Sequence, residues 1–222
     1  MEKFKNYIGT KKTLYSIATE TERQIVKEWI KDHYDLKPSE YVQLLTSLFQ
    51  GESINEISIA SELLQYVPEL RRQVEPKYLD RWLNNLQGWA EIDSLCQSKF
   101  TADEVLENWE EWRSLLRTLV SDENVSKKRA SLVLLTKPVR DSEDLRLAET
   151  AFSNVDKLKK ERNILVTKAI SWLLRDLIKH HREMVEKYLV RNQDVLPKIA
   201  MRETKTKLLT GRKTPPRQKH RH

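Results

Sequence analysis

The stretch "NILVTKAISWLLRDLIKHH", residues 163–181, decides the class of fold. Its apolar residues Ile164, Leu165, Ala169, Trp172, Leu173 and Ile178 recur at three- and four-residue intervals, the period of a helix face and not of a strand. The same interval runs through "SEYVQLLTSLFQ", residues 39–50, in Tyr41, Leu44, Leu45, Leu48 and Phe49. The punctuation is helical as well. "TETE" (19–22), "SINE" (53–56) and "TADE" (101–104) have the spacing of capping boxes, with Thr19, Ser53 and Thr101 as caps. Pro38 and Pro76 sit where first turns would begin, and Gly51 and Pro68 where helices would stop. No strand alternation of any length occurs.

These marks predict roughly ten to twelve helices of about 8 to 18 residues on short turns. Only 4 glycines are present, too few for phosphate-binding sheet turns or an antiparallel barrel. Many short antiparallel helices can form a bundle or an α-solenoid. Apolar helix pairs recur at intervals of about 35 to 45 residues, which fits degenerate HEAT-like pairs. The expectation is an all-α domain of antiparallel helix pairs over residues 1–210, for which a HEAT-like α-solenoid suits both the interval and the composition. A basic tail, read as disordered, follows at 211–222, where "TPP" breaks the helix and nothing apolar comes after.

Charge and composition narrow the function. Hydrophobic residues are 39% and charged residues 33%, which suits a soluble helical protein. The net charge is +7, and residues 202–222, with eight Lys or Arg and one acid, carry all of it. The body is neutral overall, so a polyanion site there requires segregated charge. The tail reads either as a solvated end or as an added phosphate contact. Cys96 is the single cysteine, which excludes a disulfide within the chain and a Cys-based metal site, and points to a reducing cytoplasm. The N-terminus lacks a signal-peptide core, and no stretch approaches a membrane span.

Several chemistries fall away. His180 and His181 are adjacent and diverge on a helix, His33 stands alone, and no H-x-x-x-H or H-E-x-x-H occurs. No Gly-rich phosphate loop or G-x-S-x-G is present. No metal and no cofactor are expected.

Three stretches remain. In "GWAEIDSLC" (88–96), Trp89 and Asp93 lie one turn apart on one helix face. Each alone is an ordinary helix residue, a core Trp or a solvated Asp. In "TKAISWLLRD" (167–176), Lys168, Trp172 and Arg175 share a face. They read as snorkelling cations around a half-buried Trp, or as a surface that holds phosphates and a sugar or base. In "VSKKRASLVLL" (125–135), Lys127, Lys128 and Arg129 open a helix against its dipole, a mild cost that suggests a polyanion partner.

Taken in order, "WLNNLQGWAEIDSLC", "VSKKRASLVLL" and "ILVTKAISWLLRDL" resemble the signature helices of the AlkD-like DNA alkylation repair proteins. The family pattern is W-x-x-x-D, then a helix opened by a basic pair, then K-A-I-x-W-x-L-R. The opening "YIGTKKTLYSIATETERQIVKEWI" resembles the family's start, and the likeness runs from about residue 4 to 210. The resemblance implies a C-shaped α-solenoid of HEAT-like pairs, a DNA glycosylase whose concave face is basic, grips duplex DNA and releases N3- and N7-alkylated purines. It implies that Asp93 is the catalytic carboxylate, that Trp89 and Trp172 line the cleft against the lesion deoxyribose, and that Arg129 contacts the backbone. Tyr7 and Tyr15 align loosely with an N-terminal aromatic that touches DNA. Gly88 stands where some relatives carry a second aromatic, and Lys128 where an Arg or polar residue is common.

The chemistry of the residues agrees. An N3- or N7-alkylated purine is already cationic and leaves without a strong acid, while positive charge moves onto the sugar. A carboxylate there stabilises that charge and orients water, and indole faces favour it. The expected protein is a monomeric, monofunctional DNA glycosylase acting on alkylated duplex DNA. The phosphate contacts would be Lys127, Lys128, Arg129, Lys168 and Arg175, with Tyr7 beside them. The alternatives are a non-catalytic HEAT-like DNA-binding protein and a protein–protein scaffold.

Overall fold

The computed structural model describes residues 2–214. The helices are α1 (Glu2–Ile8), α2 (Thr19–Asp32), α3 (Pro38–Phe49), α4 (Ile54–Tyr66), α5 (Pro68–Arg71), α6 (Lys77–Leu83), α7 (Gly88–Cys96), α8 (Ala102–Glu107), α9 (Trp109–Ser121), α10 (Val125–Asp141), α11 (Leu145–Leu158), α12 (Ile164–Arg191) and α13 (Lys198–Thr210). The only β pairing among the described residues is an isolated bridge between Thr13 and Ser53.

The helices stack in two layers. In one, α2, α4, α7, α10, α12 and α13 each pack on the next; in the other, α3, α6, α9 and α11 do the same. Antiparallel pairs drawn from the two layers bury their apolar faces against each other and against the neighbouring pair, which is the arrangement of an α-solenoid. The period is visible in the side-chain bonds. Trp82 Nε1 donates to Thr46 Oγ1 at 3.0 Å, Asn85 to the Phe49 carbonyl at 2.9 Å and Gln97 to the Val133 carbonyl at 3.2 Å, each across 36 positions. The core runs unbroken through the stack, with Trp82 fully buried and its ring 4.8 Å from that of Phe49.

The thirteen helices among the described residues exceed the expected ten to twelve because α5 and α8, of 4 and 6 residues, are little more than single turns. At 28 residues, α12 is longer than expected; two helical segments run on across a kink at His181, where φ is −125° and ψ 39°.

The caps separate into kept and displaced. Ser53 and Glu56 form the full reciprocal box at the start of α4. Thr101 accepts from the Glu104 N–H at 3.3 Å, but the Glu104 carboxylate turns instead to the buried Arg71, at 2.5 Å. Thr19 is not a cap. Ala18 takes that position, and Glu22 is buried and accepts from Asn55 and Ser58. Pro38 begins α3 as expected, while Pro76 lies one residue before α6.

Candidate active site

Helices α7, α10 and α12 begin side by side, and their first turns meet α1 around a cleft of about 690 Å³. Local sequence starts two of them cleanly. Asn124 Oδ1 accepts from the Ser126 N–H at 2.8 Å to open α10, and Asn163 Oδ1 from the Leu165 N–H at 2.9 Å to open α12. Helix α7 opens differently. Its first residue is Gly88, at φ +67°, against Gly9 at φ +78°. A β-carbon on Gly88 would stand 2.3 Å from the Ile8 carbonyl oxygen, so no larger residue fits this close approach. That is the physical reason a glycine, and not an aromatic, precedes Trp89.

The Gly9–Gly88 contact is reinforced by a buried carboxylate. Glu91 accepts from the Thr10 hydroxyl and, at 3.0 Å, from the Gln87 N–H. Burial raises the Glu91 carboxyl above its usual range, and the Thr10 and Gln87 hydrogen bonds oppose the shift. The result fixes Trp89. Its indole N–H donates to the Tyr7 carbonyl at 2.8 Å, and the Tyr7 ring meets it edge-on at 5.5 Å. Tyr7 itself is 70% exposed, on the rim of the cleft. The side chains of Thr10 and Glu91, 81 positions apart, carry no local motif that marks this junction.

One turn beyond Trp89, Asp93 is bound by Arg129. Arg129 Nε donates to Oδ1 at 2.9 Å and Nη2 to Oδ2 at 2.6 Å, while Nη1 donates to the Leu165 carbonyl at 2.5 Å. Both partners lie 36 positions from Arg129, so one guanidinium ties three successive repeats together; Arg129 lines the cleft, and Asp93 sits next to it without lining the cleft itself. The side chains of Arg129 and Asp93 are 6% and 16% exposed. Burial pushes the Asp93 carboxyl up, and the Arg129 hydrogen bonds and charge pull it back without reversing the direction.

Lys168, Trp172 and Arg175 line the same cleft from α12, so the face read from their spacing exists. Trp172 is half-buried and Lys168 exposed. Arg175 donates to the Ser171 carbonyl at 3.0 Å and lies 3.7 Å from Glu203 on α13. Burial lowers the Arg175 guanidinium, and Glu203 and Asp176 resist it. Glu203 accepts from Ser171 Oγ at 2.7 Å and faces Lys213 at 3.7 Å. Sequence reasoning missed Glu203; a lone acid in "KIAMRETKTK" was the one available signal.

Of the cations opening α10, Arg129 lines the cleft and Lys127 and Lys128 do not. Successive helix residues diverge by about 100°, and each finds its own carboxylate. Lys127 is buried, with Asp80 at 2.8 Å and Asp122 at 3.2 Å. Burial would lower its amine, but the two aspartates outweigh it and raise the pKa. Lys128 donates to Glu161 at 2.7 Å. The dipole cost read as a sign of a polyanion partner is thus offset inside the protein, by Asp80, Asp122, Glu161 and Asp93. Tyr15 is held away from the cleft, its N–H bound to Asn55 at 2.8 Å. Among the described residues, no three His, Cys, Asp or Glu side chains group so as to hold a metal ion, and no helix is long and apolar enough to cross a membrane.

The stacked helix pairs have a counterpart among solved structures. The solved structure described as a predicted DNA alkylation repair enzyme from Enterococcus faecalis is similar in fold, with a TM-score of 0.74 over 94% of each chain at 16% identity. No curated protein matches the sequence. The profile of the family described as DNA alkylation repair enzyme matches residues 1–208, which takes in α1, α7, α10 and α12 whole and most of α13. The chain belongs to that DNA alkylation repair enzyme family.

Proposed function

We propose that this protein is a monofunctional DNA glycosylase that releases N3- and N7-alkylated purines from duplex DNA. The observation that carries the reading is the carboxylate of Asp93, held in a bidentate pair beside a cleft lined by Trp89 and Trp172. The lesion base is cationic before reaction and leaves as a neutral base once the C1′–N bond breaks, taking the bond's electron pair. The sugar becomes oxocarbenium-like. Asp93 stabilises that charge, and the indoles of Trp89 and Trp172 pack on the deoxyribose. Each oxygen of Asp93 keeps a second lone pair beyond its Arg129 bond, free to orient a water. That water's oxygen bonds to C1′ and its proton passes to the carboxylate or to solvent. No covalent enzyme intermediate is needed, so no strand-cleaving step follows.

Lys168 and Arg175 would hold backbone phosphates on one side of the cleft, with Tyr7 opposite. Arg129 would reach the backbone only while keeping Asp93 in place. Lys127 and Lys128 are not part of this set. The protein would work as a monomer in the cytoplasm.

The test is release of free 7-methylguanine and 3-methyladenine from duplex DNA under single-turnover conditions. Release slowed by Trp172→Ala supports the reading, and a lack of release by the wild-type protein removes it. One contact favours a second reading: Arg129 occupies both Asp93 oxygens, as a purely structural pair would. In that case the protein binds alkylated duplex without excising.

A further inference from the structure

A second basic groove lies on the other layer of the stack, between α9 and α11, with a volume of about 410 Å³. Trp109, Arg113 and Arg117 follow one face of α9 at four-residue intervals. Arg146 and Lys157 face them from α11, and Glu149 is the one acid in the lining. None of these residues takes part in the cleft.

The cations are incompletely neutralised. Arg146 is forked onto Asp144, with Nη2 at 2.7 Å, and its guanidinium carbon lies 5.7 Å from the centroid of Trp109. Arg113 reaches Glu110 only at 3.6 Å, on the exposed side of the helix. Among the described residues Arg117 has no ion pair or hydrogen bond, and Lys157 has only the Ser121 hydroxyl at 3.4 Å. Like charges at Arg113 and Arg117, four apart, are mildly destabilising on a helix. An anion in the groove would reverse that cost.

The layout selects the anion. The cations do not converge on one point: Arg113 and Arg117 stand one turn apart on α9, about 6 Å, and Arg146 and Lys157 stand about 16 Å apart along α11. No glycine-rich nest is present to cradle a single phosphate. A row of cations in a trough between two packed helices suits a linear polyanion narrower than a duplex. We propose that the α9–α11 groove binds the phosphodiester backbone of single-stranded DNA, as a site separate from the cleft.

The test uses the full chain and a lesion-free, fluorescently labelled oligothymidylate, with anisotropy followed against salt. Its outcome therefore does not depend on whether the protein excises bases. Each lost phosphate contact on a single strand lowers the salt slope by about 0.7. The triple variant Arg113→Ala, Arg117→Ala, Lys157→Ala is expected to lower the slope by about 2. The charge-preserving Arg113→Lys, Arg117→Lys variant is expected to retain it. All these side chains are half-buried or exposed, so circular dichroism should show an intact fold. A slope unchanged in the triple variant overturns the proposal. So does an unchanged slope accompanied by lost binding of poly-glutamate, which would assign the groove to an acidic protein segment.

Discussion

Asp93 and Arg129 form a two-point pair at 2.9 and 2.6 Å, and the same guanidinium bonds the Leu165 carbonyl of the next repeat. The carboxylate that would face a cationic sugar is therefore positioned by the repeat period itself. Removing Arg129 leaves a carboxylate that is buried and unpartnered. Arg129→Ala should cost about 3 kcal/mol of stability, whereas Asp93→Asn, which retains a polar acceptor of the same shape, should cost less. Urea denaturation of the two variants and the double variant measures the coupling; equal, additive losses would show that the pair contributes nothing jointly.

The pH dependence of excision should carry the mark of burial. Burial raises the folded-state pKa of Asp93 above the usual aspartate range, and in the proposed reaction it acts as the carboxylate. Activity should fall as pH drops through that raised value, so the acid limb lies above the usual aspartate range. Arg129 lowers the pKa, so Arg129→Gln should move the limb to higher pH. A limb that does not move in this variant, in single-turnover kcat/KM profiles, would separate the titration from Asp93.

Gly88→Ala tests the junction that sets Trp89. Alanine would be strained at φ +67°, and its β-carbon would meet the Ile8 carbonyl oxygen at 2.3 Å. Strain of this kind costs about 2 kcal/mol, and α1 would have to shift off α7. The expected result is a lower Tm and altered tryptophan emission, with excision reduced more than duplex affinity. Wild-type emission and activity in the alanine variant would mean the junction does not position the indole.

The cations divide into two kinds. Lys168→Ala should reduce the salt slope of duplex binding by about 0.9, the value for one phosphate contact. Lys127→Ala should leave the slope alone and instead destabilise the fold by about 2 kcal/mol, the scale of hydrogen bonds to charged groups. Salt titrations and thermal melts of both variants check the division, and a reduced slope for Lys127→Ala would contradict it.

Much of this was legible before the structure, for reasons that are local. The helical period of residues 163–181 and the Ser53–Glu56 box depend on neighbours within one turn, and so does the shared face of Lys168, Trp172 and Arg175. What lies beyond local reading is where a distant partner decides. Glu22 was read as half of a cap, but Asn55 and Ser58 hold it, 33 and 36 positions away. Lys128 carries the local look of a phosphate contact, and the structure pairs it with Glu161, 33 positions on. The Trp89–Asp93 face was visible as spacing alone. What places Trp89, the meeting of Gly9 with Gly88, has no signature within either segment. The same holds for the α9–α11 groove, whose cations look like ordinary solvated residues until two helices are set side by side.

The central claim is that Asp93 takes part in base release. The most direct measurement is single-turnover release of 7-methylguanine and 3-methyladenine from duplex DNA by the wild type and by Asp93→Asn, with duplex affinity measured in parallel. The account predicts release by the wild type and none by Asp93→Asn, at similar affinity. Equal release by both, or release by neither with binding retained, would contradict it.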